Sequence, residues 1–531
     1  MAAQLTRGGA IVVVGFMGAG KTAAARSLAK ARGRRSIDAD RMIERELGTT
    51  IAEFFEREGE AAFREIEERV VSQLLASAGS NQVISLGGGA VTSRRIRDAL
   101  AGHLVVWLDV APTVAWRRAG GGNRPLARER RQFDALYAKR RPLYESVADA
   151  TFPEAGRNSL AAASRALDTL RRAPAGTRML WATSVSGEYP VYVGEGALAA
   201  GLWPLERQQS RRFLVSDANV APLWEAALGE FDGMLVLPAG EASKTLAGAE
   251  RVWRALLQAG ITRADHVAAL GGGVVGDLAG FCAATYQRGV PVIQLPTSLV
   301  AQVDSAFGGK TGIDLPEAKN YVGVYHQPAG VIVDPTVLAT LPAAELAAGY
   351  AEVLKTALIA GGELWRRIAA DAPLDERMIY DCIRCKLAVV AADERDGGLR
   401  QVLNLGHTVG HALETATGYT RFRHGEAVGL GLLAALRLSG ADELRAQVAG
   451  LLAAHGLPTR AGEVDRDAVL VAMARDKKRG PSGVPMVLVD GPGEVRHGAL
   501  VADADIEHAV AELLATPFQG ASRPQRAGAS R

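Results

Sequence analysis

Near the start of the chain, Gly15-Phe16-Met17-Gly18-Ala19-Gly20-Lys21-Thr22 has the spacing of a loop that holds phosphate. Glycine at the bends lets backbone N–H groups wrap a polyphosphate, and a helix opening just after adds positive partial charge. Lys21 would reach the β- and γ-phosphates, and the Thr22 hydroxyl would bind Mg2+. Gly18, Ala19, Gly20, Lys21, Thr22 and Ala23 are the candidate ATP contacts. The loop indicates a nucleotide; the acceptor must be read from other residues. Asp38 and Asp40 follow a strand-like step at 36–37, and on a strand end they would point the same way, one to metal and one to a polar ligand. Arg64 ends Gly59-Glu60-Ala61-Ala62-Phe63-Arg64, and Gly87-Gly88-Gly89 follows an apolar run where backbone can approach a small molecule. Arg124 lies in a glycine- and arginine-rich stretch that reads as a lid, and Arg140 precedes Pro142-Leu143-Tyr144. Arginine suits a carboxylate partner because its planar fork pairs bidentately. The choice of Arg140 over Arg141 rests on spacing to Pro142, and Arg64 could instead be a surface arginine.

A second set of chemical residues begins beyond residue 240. Gly271-Gly272-Gly273-Val274-Val275-Gly276-Asp277 follows an apolar run and has the chemistry of a pyrophosphate turn, although not the usual G-x-G-x-x-G spacing. Glu241 and Lys244 end another strand-to-helix turn, with carboxylate and ammonium for ribose and phosphate; Thr297 and Ser298 end a third. Farther on, His407 and His411 are four apart and share a helix face, and His424 follows in a loop. Glu352 precedes Lys355 on an earlier helical run. Two histidines and a carboxylate with one open position form a catalytic zinc pattern. The competing reading is histidines with structural roles only. No Glu follows His407, so the metalloprotease motif is absent.

These residues need elements to hold them. With 531 residues the chain is too long for a single core. In the first ~170 residues, apolar runs at 11–14, 83–86 and 105–110 alternate with helical stretches at 21–30, 51–77 and 94–101. That alternation predicts a doubly wound parallel sheet over 1–172. Pro174 and Gly176 place a linker at 173–179. A second α/β block spans 180–341, with strands expected at 213–216, 234–237, 266–270, 292–295 and 331–334; a mostly α-helical block follows over 342–517. The 518–531 tail reads as disordered. The net charge of +3 offers no footprint for nucleic acid or an anionic membrane. Cys282, Cys382 and Cys385 cannot build a disulfide framework, and the C-x-x-C has no second pair, so free thiols in a reducing compartment are expected. The apolar run at 11–14 is too short for a signal segment or a membrane span, which makes the cytoplasm the expected location.

The ordered series of phosphate loop, D-x-D, G-E-x-x-F-R, G-G-G, R-P-L and R-x-P-L-Y resembles shikimate kinase over residues 9–170. The resemblance implies that Asp40, Arg64, Gly88, Gly89 and Arg140 bind shikimate. Asp40 would orient or deprotonate the attacking hydroxyl, Arg124 would stabilise the transferring phosphoryl group beside ATP, and Asp38 would join Thr22 around Mg2+. Gluconate kinases share the loop but not this series.

Residues 180–515 resemble 3-dehydroquinate synthase. The matching strings include Tyr286-Gln287-Arg288-Gly289, Gln302-Val303-Asp304-Ser305, Gly308-Gly309-Lys310-Thr311-Gly312, Lys319-Asn320, Glu352-Val353-Leu354-Lys355, Arg400-Gln401-Val402-Leu403-Asn404-Leu405-Gly406-His407-Thr408, His424-Gly425-Glu426 and Asp476-Lys477-Lys478. By this likeness Glu352, His407 and His424 bind Zn2+ or Co2+. Glu241, Lys244, Gly272, Gly273, Asp277, Thr297, Ser298, Asp304, Lys310 and Lys319 hold NAD. The substrate, 3-deoxy-D-arabino-heptulosonate 7-phosphate, meets Arg288, Asp304, Lys310, Asn320, Lys355, Lys386, Arg400, Asn404, His411 and Lys477, with Arg288 reaching its phosphate from a partner subunit. Lys310, Lys355, Arg400, Asn404 and His411 are the implied catalytic groups. NAD is oxidant and then reductant in one cycle, so no net redox occurs while phosphate leaves and the ring closes. A homodimer through this half is implied. The alternatives are another sugar-phosphate cyclase, a glycerol-dehydrogenase-like oxidoreductase, or a scaffold that has lost its chemistry; the last conflicts with the intact Lys21, Asp40, Glu352, His407 and His424.

Overall fold

The computed structural model describes residues 7–119, 129–153, 159–204, 210–474 and 485–515. Arg124, Lys477 and the 518–531 tail lie outside the described residues. The strands are β1 (Ile11–Gly15), β2 (Arg35–Asp38), β3 (Gln82–Ser85), β4 (Leu104–Asp109), β5 (Ala150–Pro153), β6 (Arg178–Thr183), β7 (Glu188–Val193), β8 (Arg212–Asp217), β9 (Gly233–Leu237), β10 (His266–Gly271), β11 (Val292–Pro296), β12 (Lys310–Leu315), β13 (Ala318–Tyr325), β14 (Gly330–Val333), β15 (Pro485–Gly491) and β16 (Glu494–Leu500). Twelve of them form one sheet in the order β2-β3-β1-β4-β5-β6-β7-β14-β11-β10-β8-β9. Neighbours in it run parallel, except that β6 and β7 form an antiparallel hairpin.

Helices cover both faces, so inner strands such as β1 and β10 are buried along their whole length and read as continuous apolar runs. This is the doubly wound first half, α/β second block and mostly helical third block that the alternation predicts. The third block also carries the β15–β16 hairpin, and β12–β13 form a separate two-stranded hairpin. Among the described residues, no helix is long and apolar enough to cross a membrane. All three cysteines are free.

The sheet does not stop at the join. Ala150 of β5 lies opposite Met179 of β6, and Thr151 opposite Leu180. The Met179 N–H donates to Asp149 O at 2.8 Å. Within the segment proposed as the linker, Thr177 N–H donates to Pro174 O at 3.1 Å, and Arg178 already opens β6. A single buried cluster runs from Ile11 and Val106 through Leu170 and Met179 to Tyr192, Leu214 and Ile293. On the opposite face, β6, β7 and β14 pack on the helices of the third block through Leu180, Val191, Val331, Tyr350 and Tyr380.

Candidate active sites

The phosphate loop sits between β1 and the helix Lys21–Ala31. Gly18 and Gly20 take φ of 79° and 86°, and a Cβ on Gly18 would lie 2.2 Å from Ala115 O, so glycine is required there. Lys21 Nζ donates to Phe16 O at 3.1 Å. Thr22 Oγ1 donates to Asp38 Oδ2 at 2.8 Å, which brings together the two expected Mg2+ groups. The D-x-D reading needs one correction. Asp38 ends β2 and caps the next helix by accepting from Arg41 N, whereas Asp40 lies in the first turn of that helix, Ala39–Leu47. The two carboxylates therefore diverge by helix geometry and not by strand alternation.

Asp40, Arg64 and Arg140 converge on the Gly87–Gly89 backbone. A Cβ on Gly87 would stand 2.6 Å from Asp40 Oδ1, and one on Gly89 would run into the Arg64 guanidinium at 1.9 Å. Arg140, 4 % exposed, donates to Gly88 O at 3.3 Å, and Tyr144 donates to the same oxygen. Arg141 turns the other way and pairs with Asp109 at 3.2 Å. Arg64 is held by Glu60 at 2.9 Å and by the buried Glu67 at 2.5 Å. Glu67 was not anticipated; it lies three residues past Arg64 on the same helix face, a spacing that could have flagged it.

In the second half the site collects at the C-terminal ends of β9, β10 and β11, as an open parallel sheet requires. Lys244 Nζ sits 2.5 Å from Asp277 Oδ2 and 3.9 Å from Glu241, and it donates to Asn320 Oδ1. Asn320, expected against substrate, is thus grouped with the nucleotide residues. Cβ atoms on Gly272 and Gly273 would come within 3.2 and 3.1 Å of the Ser298 and Ser305 hydroxyls. Thr297 is buried beside them, its N–H donating to Gly271 O at 3.0 Å.

Past this turn lies a cluster of charges. Lys386 donates to Asp304 O and, at 2.7 Å, to its Oδ1; Lys355 Nζ is 3.9 Å from the same carboxylate and 2.5 Å from Glu352. Lys310 pairs with Asp396 at 2.6 Å, and Arg400, 2 % exposed, donates to Gly308 O at 3.0 Å and to Glu394 O. Asn404 donates to Gln401 O at 3.1 Å. Burial lowers the Lys310 and Lys386 ammonium pKa values, with aspartate partners opposing that shift.

Glu352 is fully buried; Lys355 takes its Oε2, and its Oε1 has no hydrogen-bond partner. Its Oε1 lies 3.5 Å from Nε2 of His407 and 3.5 Å from Nε2 of His424. His407 Nδ1 faces Leu405 O at 3.1 Å, which leaves Nε2 free to act as a ligand. Nitrogens of His407, His411 and His424 gather within 4.8 Å. Burial, then Lys355, drives the His407 pKa well below its ordinary value. Burial would lower that of His424, but Glu352 and Glu414 carry it up to about 10. A neutral imidazole, a second imidazole between two carboxylates and an orphaned carboxylate oxygen fit a divalent cation, which would take the proton's place. His411 stands on the exposed rim, its ring 5.2 Å from that of His407.

Lys319 lies 3.4 Å from Glu414, a buried acid 3.4 Å from His424 Nδ1. Sequence reading passed over Glu414, although it stands three and seven residues beyond His411 and His407 on one helix face. Arg288 is exposed at the turn before β11, with the helix Gly273–Thr285 between it and the Gly271–Gly273 turn. That places it at the N-terminal end of the strands, opposite the end that carries the site in its own chain.

Comparison with known proteins follows the same division. Residues 17–171 match the family model described as shikimate kinase. Residues 234–348 and 349–479 match those described as 3-dehydroquinate synthase N-terminal and C-terminal. A 3-dehydroquinate synthase of Symbiobacterium thermophilum is 45% identical over 335 residues, which is 58% of this chain and 92% of that protein. One of Halorhodospira halophila is 44% identical, covering 60% of this chain and 94% of that protein. Among solved structures, a 2-epi-5-epi-valiolone synthase of Streptomyces hygroscopicus with NAD+ and Zn2+ bound is 27% identical at a TM-score of 0.56, over 61% of this chain and 96% of that one.

Proposed function

The chain belongs to the 3-dehydroquinate synthase family and carries a shikimate kinase domain before it, and from that premise we propose how its own residues divide the work. The protein is a bifunctional enzyme of the shikimate pathway. Its first half phosphorylates the 3-hydroxyl of shikimate with ATP, and its second cyclises 3-deoxy-D-arabino-heptulosonate 7-phosphate to 3-dehydroquinate with release of phosphate.

In the kinase half, backbone N–H groups of Gly18–Thr22 cradle ATP, and Thr22 with Asp38 holds Mg2+. Arg64 and Arg140 grip the substrate carboxylate over Gly88 and Gly89. Asp40 orients the hydroxyl and takes its proton. Arg124, outside the described residues, is assigned the lid role on sequence alone.

In the synthase half, Glu352, His407 and His424 hold Zn2+ or Co2+, and the residues around Gly272 hold NAD. When bound, the metal supplies Lewis acidity and NAD supplies a reversible oxidation. Lys386 and Asp304 fix the substrate edge nearest Lys355. Lys310 and Arg400, with Lys477 outside the described residues, offer positive charge to carboxylate and phosphate. His411 and Asn404 are assigned to the substrate hydroxyls. Arg288 serves a neighbouring subunit of a homodimer, a reading supported by its place at the end of the strands away from its own chain's site. Cytoplasmic residence and the 173–179 boundary complete the proposal.

The observation that carries the synthase assignment is the buried Glu352 Oε1 set 3.5 Å from two imidazole nitrogens. A paired assay on the full chain tests the whole. Shikimate with MgATP should yield ADP, and the heptulosonate phosphate with NAD+ and zinc should yield phosphate without lasting NADH. Accumulating NADH would instead mark a dehydrogenase, and an inert N-terminal half would sink the kinase reading.

A further inference from the structure

The helix Arg130–Val147 carries Arg140 and Tyr144 on Gly88, and one residue later it presents Glu145 to the second half. The helix Glu376–Ala392 carries Lys386 on Asp304, and two residues earlier it presents Arg384 to the first. The two helices meet through charge. Glu145 Oε1 accepts from Arg384 at 2.5 Å and from Arg377 at 2.7 Å. Asp381 closes the network, 2.9 Å from Arg377 and 3.2 Å from Arg384. Glu145 is 11 % exposed and Asp381 4 %.

Beside this network the Tyr380 hydroxyl donates to Thr151 Oγ1 at 2.9 Å, on the strand β5 that pairs with β6. The Arg178 guanidinium lies 4.0 Å from the Tyr380 ring centroid. An exposed ion pair would be weakly held. This one is mostly withdrawn from water, has two arginines on one carboxylate and is pinned next to a continuous sheet. Burial would raise the Glu145 pKa, but Arg384 and Arg377, with Arg141, hold it below the ordinary range, so the carboxylate is charged at neutral pH.

Resting on the assignment of the two sites above, we propose that Glu145 of the kinase half is a positioning residue for both reactions, bracketing the helix that holds Arg140 to the helix that holds Lys386. Little more than one helical turn separates Arg140 from Glu145 on one side, and half a turn separates Arg384 from Lys386 on the other. Lys386, 7 % exposed, has no slack; a shift of its helix takes its ammonium off Asp304 and out of line with substrate.

The test uses the full zinc-loaded chain as wild type, Glu145→Ala and the isosteric Glu145→Gln. Glu145→Ala should raise KM for heptulosonate phosphate by roughly 5–50-fold with kcat within about threefold, and move KM for shikimate in the same direction. Glu145→Gln, which keeps the shape and one acceptor, should fall between. Amide exchange in 376–392 should quicken in both variants. Synthase KM and exchange both unchanged in Glu145→Gln would overturn the bracket, as would a lowered melting temperature with neither moved. If wild type releases no phosphate, the functional reading fails, and the exchange result still decides the bracket.

Discussion

Glu414 has only 2 % of its side chain exposed and reaches two groups, His424 Nδ1 at 3.4 Å and Lys319 Nζ at 3.4 Å. A buried carboxylate needs such partners, and here they hold its pKa down to about 2 even though burial pushes the other way. Its contact fixes the His424 ring so that Nε2 faces Glu352, which is the usual service of an acid behind a metal-binding histidine. Glu414→Gln is therefore expected to weaken zinc binding by about 10–100-fold, read by competition with a chromogenic chelator. Affinity equal to wild type would remove Glu414 from the site. Lys21→Ala should cut kinase turnover by about a hundredfold or more while phosphate release by the other half stays put. At this scale the sequence was most legible where residue type alone carries the chemistry, as in Lys21-Thr22 or His407, His411 and His424. It was least legible where only packing decides. Arg140 and Arg141 are chemically alike, and burial against Gly88 sets one apart from its neighbour on Asp109.

Among elements, the strands buried on both faces were plain to read, because β1, β4, β10 and β11 are dominated by Val, Ile, Leu and Ala. The strands that make the join were not. β5 is four residues long and ends in Pro153, and β6 starts directly after a turn, so neither shows a period that a helix end or loop would lack. The sequence leaves Asp40 on a strand end because Asp38 suits a cap and a strand end alike, and Arg41 stands where a capping box would have Glu or Gln. The Glu145 bracket between two helices gives a prediction in pH. Its carboxyl titrates lower when folded than its ordinary value of 4.5. Its stabilisation is thus complete above about that pH and fades as acid takes it through the depressed folded value. Melting temperatures of wild type and Glu145→Gln should differ at neutral pH and converge in acid; a gap that stays constant down to the lowest pH at which the chain folds would show that the charge does not matter.

Across the whole molecule, the β5–β6 pairing and the core running from Ile11 to Ile293 make two catalytic halves share one sheet. Halves so joined should melt together. NAD+ at about a hundred times its Kd stabilises whatever unfolds with its site by roughly 2.7 kcal/mol. Adding NAD+ should consequently raise the temperature at which kinase activity is lost, and heat inactivation of the kinase that ignores NAD+ would show two independent units. Because the product of the synthase half, 3-dehydroquinate, is not the shikimate that the kinase half takes, the shared sheet does not pass product from one site straight to the other. The seam between β5 and β6 has another bearing, on how the protein is made. The N-terminal half leaves the ribosome first with the outer edge of β5 unpaired, a row of free N–H and C=O groups on which a stray strand could add. Arg178 follows Pro153 by only 25 positions. At about 5–20 residues per second that edge waits for its cover no more than a few seconds. A kinase half released on its own would carry the same edge for its entire lifetime.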